Sequence, residues 1–564
     1  MALKDDILIA VLDNAVKYDG KASSGAVIGK LLGTHPEFRQ HTANLMEEIN
    51  RIVNEVNKYS LAEQKSRLLE LAPEKLEKKE KKERQLPELP NAVMGKVVLR
   101  LAPYPSGPLH IGNAKPYILN DAYAKKYKGK LLLVIDDTIG TEEKAIAPEA
   151  YDLIPAGLKW LEVDFDDKII YKSDRLPIYY EHALKLIEQG NAYVCFCSQE
   201  KLRYNRAHSI ACACREKSSA NHLKEWNKML EGEYKSGDAT LRLKTDLEHP
   251  NPAFRDRVLF RISEREHPKV GLKYKVWPML EFSWAIDDYL LGTTHVIRGK
   301  ELMMESEMEL FIWNLFGWKP PVLIHTGLLN IEGVKISKSK SQQEIKSGMF
   351  TGWDDPRTWS LQSLRRRGIL PKAIRDFCLS FGLNQNEITV PLDNLYSENR
   401  KLLEKKADRH FFISNPVEVT IEGATGREIK IKLHPDYPER GFRTFKTGNK
   451  FYISRSDVDE FHDGDMIRLM DCLNFIVDGA KLNYHSDEYA HYKAHGKRII
   501  HWLPQEETLA KVELLMPDGS LQIGLAESEI KKLKPDAIIQ FERIGFARLD
   551  HFEKDKAIFW FAHK

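Results

Sequence analysis

Hydrophobic and polar positions change their rhythm twice along the chain. Up to about residue 70 apolar residues recur at helical spacing, with Leu45, Ile49, Ile52 and Val56 on one face of a predicted helix. From 96 to about 403, short apolar runs alternate with helical stretches. Residues 97–101 predict a strand, 103–108 a Pro/Gly turn, the next twenty or so a helix closing at Gly129, and 131–135 a second strand. Two buried runs joined by a helix predict a βαβ unit with parallel strands. Helices are predicted over 148–160 and 175–189, over a stretch with Leu302, Leu310, Ile312, Trp313 and Phe316 on its apolar face, and through 355–403. Strands are predicted over 239–244, 257–262 and 322–329. From about Asn415 the period falls to two, in 417–421, 428–433, 450–453 and 556–561, which predicts β-barrels.

At 564 residues and 42% hydrophobic, the chain has room for three to five units with real cores. Lys and Arg (85) nearly balance Asp and Glu (82), so a nucleic-acid partner has to be met by local patches rather than a global field. No run approaches eighteen apolar residues, and the first twenty residues carry acidic groups before a short amphipathic pattern; we expect neither a signal peptide nor a membrane span. Residues 73–90 mix charges between prolines and read as a solvated spacer, the other reading being contact with RNA phosphates. Six cysteines in so long a chain, four of them clustered, fit a reducing, cytoplasmic setting and a metal site better than a disulfide framework.

Three stretches carry chemistry. The turn before the first long helix leaves backbone N–H groups at a helix N-terminus, where the dipole favours a phosphate. There Gly112 removes a side chain, and His110 and Asn113 place two donors one turn apart, either to hold a polyphosphate or to cap the helix. Far downstream, Lys335, Ser337, Lys338 and Ser339 follow an apolar run and a Glu332-Gly333 turn, an exposed loop with mobile cations for developing phosphate charge. Cys195, Cys197, Cys212 and Cys214 form two close pairs, a tetrahedral thiolate set for a structural Zn²⁺, the alternative being four buried or redox cysteines. The basic run Arg365, Arg366, Arg367 faces either solvent or a phosphate.

In that order, the His110–Asn113 turn and the Lys335–Lys340 segment resemble the HIGH and KMSKS signatures of class I aminoacyl-tRNA synthetases, with Asn113 in place of the last His and Ile336 in place of Met. The resemblance is to the glutamyl/glutaminyl branch of archaeal type, carried further by Arg100–Gly112, Asp136-Asp137-Thr138, Ser173-Asp174-Arg175, Asp287–Gly292, Thr294–Lys300 and Gln540–Phe546. It implies a Rossmann-like, doubly wound α/β domain split by an inserted acceptor-end domain, with a helical N-terminal region and C-terminal anticodon-binding β-barrels. The corresponding boundaries are 1–92 (helical region and linker), 93–192 and 276–345 (catalytic halves), 193–275 (insertion with zinc), 346–412 (helical connection) and 413–564 (barrels).

It also implies activation of L-glutamate by ATP with Mg²⁺ and transfer to tRNA(Glu), with tRNA(Gln) a further acceptor left open. His110, Asn113 and Lys338 would be catalytic; Gly112, Lys335, Ser337 and Ser339 would bind ATP; Arg100, Ala102, Asp136 and Arg298 would bind the amino acid, Asp136 its ammonium and the arginines its carboxylates. Partners of the N-terminal region stay open. The chain departs from the family's pattern at Val134 (commonly Arg), at Tyr104, and at Leu280 (usually Tyr). A glutaminyl enzyme, a non-tRNA nucleotidyltransferase and an inactive RNA-binding homologue are the rival readings; the Arg at 298 and the long β-rich region weigh against the first two.

Overall fold

The computed structural model describes residues 2–17, 20–34, 42–72, 86–140, 145–334 and 337–564. The chain divides into two compact units, 1–85 and 86–564; most of the predicted spacer lies outside the described residues.

The first unit is helical: α1 (Ala2–Lys17), α2 (Ser24–Thr34), α3 (Thr42–Val56) and α4 (Leu61–Leu71). The predicted stripe is its core, with Leu45, Ile49, Ile52 and Val56 buried against Val11, Leu12, Val27 and Leu68. Ser60 and Glu63 form a reciprocal capping box that starts α4. The buried Gln64 amide ties the turns together by donating to the carbonyls of Gly20, Val56 and Tyr59.

The second unit opens with the expected βαβ: β1 (Val98–Leu101), α5 (Ile111–Lys126) and β2 (Lys130–Ile135), in parallel register from Val98↔Lys130 to Leu101↔Leu133. Gly129 is required where the helix returns, because a Cβ there would lie 2.3 Å from the Val97 carbonyl. After α6 (Ala150–Trp160), β3 (Ile170–Tyr171) adds to β2, again parallel. Then come α7 (Leu176–Glu188), β4 (Ala192–Cys195), α8 (Gln199–Ala207), α9 (Ser219–Glu231), β5 (Thr240–Leu243), β6 (Val258–Ile262) and β7 (Val276–Pro278). Strands β4 to β7 form an antiparallel sheet with its own core around Trp226, Phe260 and Trp277.

Next are α10 (Leu280–Leu290), β8 (His295–Gly299), α11 (Met303–Phe316) and β9 (Val322–Thr326), with β8 and β9 parallel. Thr294 joins this pair to the first: its N–H donates to the Val98 carbonyl at 2.9 Å and its Oγ1 accepts from the Val98 N–H at 2.9 Å. Ile312 and Trp313 of the predicted apolar face are buried, but Leu310 is exposed because the partner core covers a narrower stripe. Then follow β10 (Leu329–Ile331) and α12 (Lys338–Lys346). Residues 355–403 are not wholly helical as expected. Ile388–Val390 is a strand paired in parallel with β10, its β-branched residues outweighing the helical context.

The C-terminal strands form two seven-stranded sheets. In one, the edge strands are Arg409–His410 and Phe412–Ser414, separated only by Phe411, so the sheet returns on itself as a nearly closed barrel. The other, with edges Gly496–Ile500 and Leu503–Pro504, also starts and ends on neighbouring segments. In the first of these sheets the chain's final strand, Lys556–His563, contributes Ala562 to the same core as Leu99, Leu133 and Ile118, where Phe546 also sits.

Candidate functional site

The carboxyl ends of β1, β2 and β8 open onto two neighbouring cavities that share Tyr104, Asn113 and Tyr117 as walls. One, about 490 Å³, is lined by the Pro103–Ser106 turn, Asn113 at the start of α5, and Lys338, Ser339 and Lys346 of α12. The other, about 370 Å³, is lined by Arg100, Ala102, Asp136, Thr138, Leu280, Trp284 and Arg298. All four residues expected to bind an amino acid therefore line one cavity, and Asn113, Lys338 and Ser339 meet in the other.

Local sequence explains the first cavity. The turn is held tight by Gly107, at φ +144°, where a Cβ would press on the Trp353 ring at 2.9 Å. His110 then caps the start of α5, its backbone bridging to Ser360, and is half-buried. Burial, with the Lys338 ammonium nearby, pushes its imidazole down to about 3, and its Nδ1 is buried without a hydrogen-bond partner. His110 lines neither large cavity. It borders a void of about 10 Å³ shared with Ser337, Lys338 and Trp353. Gly112 lies in the first turn of α5 and lines neither cavity.

The predicted exposed loop is in part a helix. Ser337 caps α12 by accepting from the Lys340 N–H at 3.3 Å, so Lys338 and Ser339 are its first residues. Lys338 reaches back to the Gly107 carbonyl at 3.5 Å, and burial pushes its ammonium down to about 8. A cation at a helix N-terminus is opposed by the dipole as well. Lys335 lies outside the described residues.

The second cavity is built from buried ion pairs. Arg100 donates bidentately to Asp288 at 2.6 and 2.8 Å and stacks on Trp284 at 3.6 Å. Arg298 does the same to Glu309 at 2.9 and 2.8 Å, with a further bond to Ser306. Asp136 accepts from Thr138 at 3.0 Å and stands 3.4 Å from Lys172, whose Nζ donates to Ser283 at 2.7 Å and lies 3.5 Å over the same Trp284 ring. Burial lowers Lys172 from its ordinary value, with Asp136 pulling the other way. Sequence reasoning missed Lys172, Trp284 and Glu309. The first directly precedes the Ser173-Asp174-Arg175 motif and Trp284 sits one helical turn before Asp288, signals that could have found these two; nothing local marks Glu309.

Of the departures, Val134 is buried within β2, while Tyr104 and Leu280 line the cavities. Within the arginine run only Arg365 is exposed. Arg366 pairs with Asp550 and Asp354, and Arg367 is buried, donating to the carbonyls of Phe561 and Ala562.

The four cysteine sulfurs lie within 4.8 Å of one another, with Cys195 and Cys212 3.8 Å apart. A tetrahedron with Zn–S bonds of about 2.3 Å has edges of about 3.8 Å, so the set fits zinc. Arg242 donates towards both Cys195 and Cys212, at 3.7 and 3.8 Å, and the Cys195 hydrogen bond pushes the Cys212 thiol down to about 4. A buried cation beside four thiolates offsets their excess negative charge.

Models for known families match along most of the chain. Residues 96–405 match the catalytic domain of class I tRNA synthetases (E and Q), and 407–495 and 499–550 match two anti-codon binding domains of the same enzymes. The glutamate–tRNA ligase of Pyrococcus furiosus is 46% identical over 98% of each chain, and that of Methanocaldococcus jannaschii 44% identical over the whole of both. The glutamate–tRNA ligase of Thermococcus kodakarensis is 43% identical, again over the whole of both chains. With a catalytic-domain match over more than half of its length and relatives alike from end to end, the chain belongs to the class I tRNA synthetases of the glutamyl and glutaminyl group.

Proposed function

We propose that the protein attaches glutamate to tRNA(Glu) in two ATP-dependent steps, through glutamyl adenylate. The observation that carries this is the pair of adjoining cavities, one edged by Asn113, Lys338 and Ser339, the other by Asp136, Arg100 and Arg298. The first suits a polyphosphate and the second a zwitterion with an extra carboxylate. The attacking carboxylate is ionised at neutral pH and needs no base, so positioning and charge neutralisation are the protein's task.

Lys338 follows the β- and γ-phosphates and Asn113 holds the nucleotide at the start of α5, while the partnerless Nδ1 of His110 awaits a polar atom beside Lys338. Gly112, Ser337, Ser339 and the undescribed Lys335 complete the ATP site, where bound Mg²⁺ would supply charge neutralisation to the phosphates. Asp136 accepts the α-ammonium, sharing its carboxylate with Lys172 and Thr138; Arg100, Ala102 and Arg298 face the rest of the amino acid. Zn²⁺ on Cys195, Cys197, Cys212 and Cys214 would fix the loop of the insertion.

In this reading β3-β2-β1 and β8-β9 are halves of one doubly wound sheet, joined at Thr294 and Val98 and split by the 193–275 insertion; the mainly helical connection runs from 346 to about 408, because Arg409–His410 is already an edge strand of the barrel. The barrels, from about residue 409 to 564, take the anticodon, and the N-terminal helices with their spacer, to about residue 92, are an appendage. No described helix is long and apolar enough to cross a membrane, in keeping with a cytoplasmic translation enzyme. The test is charging of purified tRNA(Glu) and tRNA(Gln) with labelled glutamate. Charging of neither, with no glutamate-dependent ATP–pyrophosphate exchange, would refute it in favour of an inactive RNA-binding protein.

A further inference from the structure

Arg298 lines the second cavity, but its charge is already met. Both oxygens of Glu309 accept from its Nη1 and Nη2, and Ser306 takes a further Nη2 proton. Glu309 is wholly buried and is not among the cavity's lining residues, so it covers the part of the guanidinium turned away from a ligand. What stays without a partner is the buried Arg298 Nε–H. The remaining groups facing Glu309 are His325 of β9, through Ser306 at 2.7 Å, Asp288 of α10 and Arg100 of β1. Asp288 is itself matched by Arg100.

A lone buried arginine would attract a side-chain carboxylate and reject a neutral amide, which would leave its charge unmatched. An arginine already paired presents a guanidinium with little net charge. A ligand carboxylate placed against Arg298 also feels Glu309 across the guanidinium, whereas a neutral carboxamide meets no such repulsion. We propose, resting on the amino-acid-activating reading above, that Glu309 is a positioning residue for side-chain specificity: by neutralising Arg298 it narrows the preference for glutamate over glutamine. Burial raises Glu309 to about 7 against the pull of Arg298. Protonation of Glu309 would leave Arg298 free to favour a carboxylate.

The experiment is amino-acid-dependent ATP–pyrophosphate exchange by the full-length protein, with kcat/KM for glutamate and for glutamine. In Glu309→Gln the glutamate-to-glutamine ratio should rise by at least about fivefold, the scale of a desolvated charge effect. A folded variant in which both amino acids change in parallel, or the ratio falls, overturns the proposal. Because a variant of a buried residue can fail to fold, the wild type supplies a second measurement. Its ratio should fall severalfold between about pH 6 and pH 8.5, while the glutamate side chain, ordinarily near 4.3, stays ionised and the α-ammonium is common to both substrates. A ratio that is flat or rises overturns the proposal equally. Wild type inert with both amino acids would refute the activating reading and this inference with it; active wild type with an insensitive ratio refutes this inference alone.

Discussion

Lys338 carries a cost in the free protein that a triphosphate should remove. Burial takes its ammonium from the ordinary 10.5 to about 8, and a gap of ~2.5 units corresponds to ~3.4 kcal/mol at ~1.36 kcal/mol per unit. Since solvent still reaches part of the side chain, about 1–3 kcal/mol is the expected penalty. The folded state holds this proton less tightly than the unfolded chain. The penalty is therefore full below about pH 8 and disappears as pH rises towards about 10.5. Lys338→Met, which keeps bulk and drops charge, should stabilise the free protein at neutral pH by that amount. It should also slow pyrophosphate exchange by about a hundredfold or more. If phosphate returns the ammonium to its ordinary range, ATP binding takes up ~0.1 proton near pH 7, ~0.5 near pH 8 and ~0.9 near pH 9. Calorimetric titration with ATP in two buffers of different ionisation enthalpy measures the uptake. An uptake that is level across this range, or that survives in Lys338→Met, would refute the placement of Lys338 on the phosphates.

Protein purified without added zinc should contain one Zn²⁺ per chain, and chelation should turn Cys195, Cys197, Cys212 and Cys214 reactive to thiol reagents; a metal-free, folded protein would defeat the assignment. Asp288→Asn leaves Arg100 buried without its counter-charge and should cost about 3–5 kcal/mol by denaturant unfolding, a value under about 1 kcal/mol contradicting the pairing. Although burial opposes it, hydrogen bonds from Arg366, Arg548 and His551 hold Asp550 far below the usual carboxylate range. Its contribution is present above about pH 4 and lost as pH falls further, so the stability gap between wild type and Asp550→Asn should shrink on acidification below that point.

Local order was readable in the sequence. The βαβ unit, its closure at Gly129, the cysteine pairs and the period-two strands follow from residues a few positions apart, and each lies where the pattern put it. So did the gathering of Arg100, Asp136 and Arg298, through the family's motifs. What stayed hidden was the state of those side chains. Arg100 meets Asp288 from 188 positions away, and Glu309, on a helix whose pattern showed only an apolar face, neutralises Arg298. The acidic residue reads as a surface position because nothing local says that a guanidinium will cover it. Lys338 was read as loop because its two lysines and two serines have no apolar spacing. Its helix is set by the Ser337 cap.

Phe546 and Ala562 complete a core begun by Leu99, Ile118 and Leu133, and the buried Arg367 satisfies its donors on the carbonyls of Phe561 and Ala562. During translation the parallel strands and the residues around both cavities leave the ribosome first, but the hydrophobic layer beneath them stays open until those late residues arrive. A chain cut before Phe546 thus carries the residues that line both cavities but lacks two side chains of the layer beneath them. Loss of the last strands should therefore disturb the layer beneath both cavities as well as the sheet those strands belong to.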